Sequence, residues 1–295
     1  MAERYRGPIV DPHHHLWDRS LYRQPWLRGQ SGVLGRDCLP ADYLKATAGY
    51  DVIGTVHVEA GWDAGDPFAE IAWLDQLERP EWMAARYVAN VALDAPDAET
   101  SLQRVAAHPR VVGVRDILSW HPDPQRSFAK DRHRMSSAAW RAGFAALDRS
   151  GLSFDLMISP WQMEEAQQLV ADFPATRFAI NHCGSPFDQS EGGLAFWEQG
   201  LRGLVEFHNV SIKVSDVVAY QPDWTAESVT RIVRTCLEVF GPSRTMLASD
   251  HPVLDLGSSF AEAYGVFEAA LEHCSSAEQR AVFAGNAGSF YRIEI

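Results

Sequence analysis

Three consecutive histidines, His13, His14 and His15, follow the short apolar run Ile9-Val10 and the pair Asp11-Pro12. In an extended chain, residues two apart project to the same side. His13 and His15 can therefore converge on one point while His14 faces elsewhere. Two neutral imidazoles held side by side begin a site for a zinc-like cation. An arbitrary H-x-H is more often a histidine-rich loop without a role. Its position at the end of an apolar run tips the balance toward chemistry. A cation needs further ligands, and two other run ends supply them: His182, just past 177–181, and Asp250, just past 245–248. Taken singly, Asp250 reads as a turn or helix cap and His182 as a hydrogen-bonded loop histidine. Their shared placement makes the bland readings less economical together than apart.

Other polar residues are candidates on weaker grounds, and for each the structural reading stands beside the functional one. Arg115 ends the run 111–115; its permanently charged fork suits a bidentate grip on a substrate carboxylate. Equally, it could form a structural ion pair with Asp116 or Asp155. His57 and Glu59 are two apart and should share a face, either the site or the surrounding helices. Lys213 and Ser215 end another run, where a polar side chain could meet substrate. Trp17, Tyr22 and Trp26 could wall a pocket or fill the core. Cys183 adjoins His182 but should alternate away from it, so it reads as packing. The four cysteines are scattered without a C-x-x-C pair, which points to reduced thiols in a cytoplasmic protein.

These residues need a frame that gathers run ends. Eight β-rich runs recur, at 9–11, 53–59, 86–92, 111–115, 152–158, 177–181, 210–213 and 245–248, and most are nearly continuously apolar. That is the pattern of parallel strands covered on both faces. Between them lie helical stripes, such as Val229, Ile232, Val233, Cys236, Leu237 and Phe240. Ser275 with Glu278 is a capping-box pattern. The alternation predicts an α/β fold, a (β/α)8 TIM barrel, as one domain over 1–295. An open doubly wound sheet would carry a Gly-rich turn after its first strand; here histidines stand there. Long joints at 16–40 and 117–136 follow strands one and four, on the face where barrel sites form. The 295 residues carry a net charge of −13, which argues against nucleic acid and anionic membrane as partners. No apolar run approaches the ~20 residues of a membrane helix, and the start shows no secretory signal.

The segment Asp11-Pro-His-His-His-Leu-Trp17, with Pro25-Trp26-Leu27 after it, resembles the amidohydrolase superfamily, in its amidohydrolase-2 branch. Val58-Glu59-Ala60, Asn181-His182-Cys-Gly184, Ser249-Asp250-His-Pro252, Gly285-Asn286-Ala287 and Phe290-Tyr291 fit the same branch, which contains sugar-acid and 2-pyrone-4,6-dicarboxylate lactonases. The resemblance implies a (β/α)8 barrel, a divalent metal on the first-strand histidines and last-strand aspartate, and lactone opening, which some relatives perform without metal. Binuclear members carry a bridging lysine on the fourth strand. Here Arg115 stands in that strand, and arginine cannot ligate a metal, so one metal at most is expected, zinc first, with metal-independence as the other arrangement. The expected ligands are His13, His15, His182 and Asp250. Asp250 and His182 would be catalytic; Arg115, His57, Trp17 and Lys213 would meet a small acidic substrate. The rival on the same frame is a metal-dependent decarboxylase of unsaturated or aromatic acids. A non-catalytic barrel binding a sugar acid or metal is the rival from another class. A homo-oligomer is compatible with the sequence.

Overall fold

The computed structural model describes residues 5–63, 67–221 and 223–295. Eight strands form one sheet: β1 Ile9–His14, β2 Val52–Val58, β3 Arg86–Asn90, β4 Val111–Arg115, β5 Ser153–Leu156, β6 Phe178–Ile180, β7 Val210–Val214 and β8 Thr245–Leu247. They pair in parallel in chain order from β1 to β8. Past the end of β8 the ring closes against the end of β1 through two backbone bonds: Asp250 N–H donates to the His13 carbonyl at 2.8 Å, and His15 N–H to the His251 carbonyl at 2.8 Å. Closure there brings position 250 against positions 13 and 15.

Helices wrap the barrel: α1 Pro40–Ala46, α2 Pro67–Gln76, α3 Ala98–Ala106, α4 Ala138–Ser150, α5 Met163–Asp172, α6 Glu191–Leu204, α7 Ala226–Phe240 and α8 Phe260–Ala270. Two short helices follow, α9 Ser276–Arg280 and α10 Asn286–Tyr291. The expected stripe on α7 is buried in full, and Ser275 with Glu278 forms the capping box that opens α9. The long joints contain short 3-10 turns, among them Arg19–Leu21 and Pro25–Leu27 after β1, and Pro124–Arg126 after β4. Among the described residues, no helix is long and apolar enough to cross a membrane.

The core has two layers, as a helix-wrapped barrel requires. The larger lies between strands and helices. The smaller fills the barrel itself: Val10, Val56, Val58, Val88, Val112, Ala179 and Met246, closed by Ala284, Ala287, Phe290, Tyr291 and Ile293 from the C-terminal segment. Val10 lies in this inner layer, so strict alternation would also turn Pro12 and His14 inward. It does not, because β1 carries an extra residue: Asp11 pairs with Thr55 and His14 with His57, three steps against two. This bulge resets the alternation. His14 turns outward to the Thr55 hydroxyl at 2.8 Å, and His13 and His15 turn inward.

Above the apolar plug sits a buried ionic layer. Lys213 is fully buried and pairs with Asp155. Its Nζ also donates to the Pro12 carbonyl at 2.9 Å and lies 4.7 Å from the centre of the Tyr291 ring. Asp155 further accepts from Tyr291 Oη at 2.7 Å and Asn181 Nδ2 at 3.0 Å. Lys213 therefore ties β7 and β5 to the backbone just ahead of His13. Removing one member of such a pair strands a buried charge, a loss of ~3–5 kcal/mol. Lys213→Met should lower the unfolding free energy by that amount in urea titration, with partial recovery in the double variant Lys213→Met, Asp155→Asn. A loss below ~1 kcal/mol would show that the charge is not buried as described.

Candidate active site

Four side chains from three run ends meet above the inner core. His15 Nε2 lies 3.1 Å and His13 Nε2 3.3 Å from the same carboxylate oxygen, Oδ1 of Asp250. The His182 ring stands 4.7 Å from that of His13. His13, His182 and Asp250 each offer a ligand atom within 4.8 Å of one another. All four residues are buried, with Asp250 2% exposed.

Their protonation follows from their other contacts. His15 Nδ1 is 2.8 Å from the Val58 carbonyl. A carbonyl only accepts, so Nδ1 donates there, and Nε2 faces the Asp250 carboxylate at 3.1 Å. His13 Nε2 lies 3.4 Å from Nη1 of Arg115, a group that only donates, and 3.3 Å from Oδ1 of Asp250. His13 Nδ1 is buried without a partner among the described residues. Burial, with Lys213 and His182 nearby, holds His13 well below the usual imidazole value. Burial likewise pulls His182 down to about 4. Burial pushes Asp250 up, but the imidazoles of His182 and His15 and the Arg115 charge outweigh it, and the carboxyl lies below its ordinary value. The site is thus a buried carboxylate ringed by imidazole nitrogens. Three imidazoles with one carboxylate are a donor set that suits a zinc-type ion once the ligating nitrogens have shed their protons.

The supporting contacts differ in several places from those the sequence suggests. Arg115 pairs with Glu59: Nε donates to Oε1 at 2.6 Å and Nη2 to the Glu59 carbonyl at 2.8 Å. Neither Asp116 nor Asp155 is its partner. Asp116 faces the other way, toward Arg134 and Trp140, and Asp155 belongs to Lys213. His57 and Glu59 do not share a face either, because β2 ends at Val58 and the alternation ends with it. The His57 ring is fully engaged: Nδ1 accepts from Leu16 N–H at 3.3 Å and Nε2 donates to Glu70 at 3.1 Å. Burial pushes the Glu70 acid up to about 7, against the pull of the Ala60 N–H. Trp17 is buried, with Nε1 on the Arg36 carbonyl at 2.9 Å. Tyr22 and Trp26 are exposed by 75% and 42% on the same loop. Ser215 holds His182 Nδ1 at 3.0 Å. Cys183 is buried, consistent with packing.

The rim is also where the backbone is strained. His182, Cys183, Ser185, Asp216 and Asp250 all have φ between 51° and 57°. Left-handed non-glycine residues cost of order 1–3 kcal/mol each and gather at functional sites. If this cluster holds a cation, adding zinc to chelator-treated protein should raise its melting temperature. A ligand at a hundred times its dissociation constant contributes about 2.7 kcal/mol. The shift should vanish in His13→Ala. An unmoved wild-type transition at millimolar zinc would contradict the cation reading.

With this geometry, the comparisons with known proteins are specific. The sequence matches the amidohydrolase family model over residues 10–293. The y4mH protein of Sinorhizobium fredii is 30% identical over 293 residues, 97% of this chain and 98% of that protein. An L-fucono-1,5-lactonase of Burkholderia multivorans is 30% identical over 301 residues, 96% of each chain. Among solved structures, an amidohydrolase from Burkholderia multivorans with bound zinc superposes with a TM-score of 0.82 at 25% identity, over 98% of this chain and 100% of that one. The match runs through all eight strands and through every run end that builds the site. The chain belongs to the amidohydrolase family and is a hydrolase.

Proposed function

We propose that the enzyme opens the ring of a small lactone by water attack on the acyl carbon. The observation that carries this reading is the single oxygen of Asp250 shared between His13 and His15, with His182 alongside. It is a base held ionised in a dry pocket, beside groups that can polarise a carbonyl. The lactonase relatives support it.

Asp250 takes a proton from water as the oxygen attacks, and returns it to the ring oxygen as the acyl C–O bond breaks. Ser215 lets His182 serve the oxyanion, because a hydroxyl both donates and accepts. With Ser215 donating to Nδ1, the proton sits on Nε2 and can serve the oxyanion. Such a donor is worth a few kcal/mol at the transition state. With Ser215 accepting from Nδ1, Nε2 is instead free to ligate a cation. Arg115 fixes His13 from the side, with its fork spent on Glu59. His57 backs the loop that carries His15 and Leu16. Lys213 holds the Pro12 backbone from below. A divalent cation held by His13, His15, His182 and Asp250 would supply Lewis acidity toward carbonyl and water. Arg115 and Lys213, the cations named for an acidic substrate, are each paired with a buried carboxylate. The reading therefore favours a neutral lactone.

The test is proton release, followed with an indicator, from L-fucono-1,5-lactone and simple sugar-acid lactones. The wild type should open at least one of them and release no carbon dioxide from aromatic or unsaturated acids. Asp250→Asn should lower kcat by about 10²–10⁴ while the protein stays folded. Decarboxylation without lactone opening, or unchanged turnover in Asp250→Asn, would contradict the reading.

A further inference from the structure

Beyond Val214 the chain takes two steps whose side chains do different work. Ser215 is committed to His182. Asp216 turns through the left-handed region, φ 52°, and begins the turn Val217–Tyr220. Its Oδ1 is buried without a hydrogen-bond partner among the described residues, yet the residue as a whole remains partly open. A buried carboxyl oxygen without a donor is costly and calls for an explanation. Burial first, then the carboxylate of Asp250 and the thiol of Cys183, push the Asp216 acid well above the carboxylate range. Asp216 follows β7 as Asp250 follows the neighbouring β8, and Ser215 beside it holds His182, so the residue sits at the rim that carries the site.

Several other polar groups at this rim are already used. Ser249 is spent on Asp11, Arg115 on Glu59 and Ser215 on His182. Asp216 has no such tether at Oδ1. The torsion that carries an aspartate carboxyl is broad and soft, so rotation can present an oxygen to the opening. We propose that Asp216 is a specificity-determining residue that hydrogen-bonds a ring hydroxyl of the substrate, so that the enzyme prefers a polyhydroxylated lactone to a bare one. This rests on the lactonase reading. A site built to bond a hydroxyl discriminates strongly against an analogue lacking it, because the protein group is then left unpaired.

The experiment compares L-fucono-1,5-lactone with δ-valerolactone, which has the same ring size without hydroxyls. The wild type should favour the hydroxylated lactone in kcat/KM. In Asp216→Asn and Asp216→Ala that preference should shrink by about 10- to 100-fold. A purely structural role would lower both substrates equally and leave the preference intact, and that result overturns the proposal, as does a preference unchanged because neither rate moves. If the wild type opens neither lactone, the lactonase reading itself fails. Saturation-transfer NMR with L-fucose then tests Asp216 separately: binding by the wild type that Asp216→Asn loses supports the residue's role. Equal signals from both proteins, or none from the wild type, overturn it.

Discussion

One carboxylate oxygen organises this molecule. Oδ1 of Asp250 is met by His13 and His15 at 3.3 and 3.1 Å in a place closed to solvent. Burying an ionised group is expensive unless it is paired, and the two imidazoles are what face it here. No local segment can sustain that arrangement. It exists because barrel closure joins β8 to β1 and delivers position 250 to positions 13 and 15.

The supporting contacts show how much of the fold serves that point. The Val58 carbonyl sets the tautomer of His15, Ser215 orients His182, and Arg115 borders His13 while bound to Glu59. Orienting contacts of this kind govern ligand basicity and geometry as much as the ligands themselves. Beneath them, Lys213, Asp155 and Tyr291 form a second charged layer that separates the site from the apolar plug. The left-handed residues at the ends of β6, β7 and β8 are strained turns that bring polar side chains over the opening, with the cost carried by the packed barrel below.

The sequence makes the outline of this site legible and leaves its wiring hidden. His13, His15, His182 and Asp250 could be grouped because each follows an apolar run, and parallel strands put such ends on one rim. The eight runs and long joints place the frame for the same reason. The bulge in β1 could not be read, since only pairing with β2 reveals the extra residue. The partner of Arg115 was hidden because Glu59 lies 56 positions away, whereas the nearby Asp116 faces α4. His57 and Glu59 part company because β2 stops one residue short of where the apolar pattern runs. Glu70 and Asp216 carried no signal at all: one is an acid on a helix, the other a turn residue, until the fold buries them.

The central claim is that water, activated at Asp250, attacks the acyl carbon of a lactone. The most direct measurement is a single turnover of L-fucono-1,5-lactone in ¹⁸O-labelled water, with the product examined by mass spectrometry. Water attack on the acyl carbon puts one heavy oxygen in the new carboxylate and none in the hydroxyl released from the ring. Label in that hydroxyl would mean cleavage at the alkyl carbon and would contradict attack on the acyl carbon.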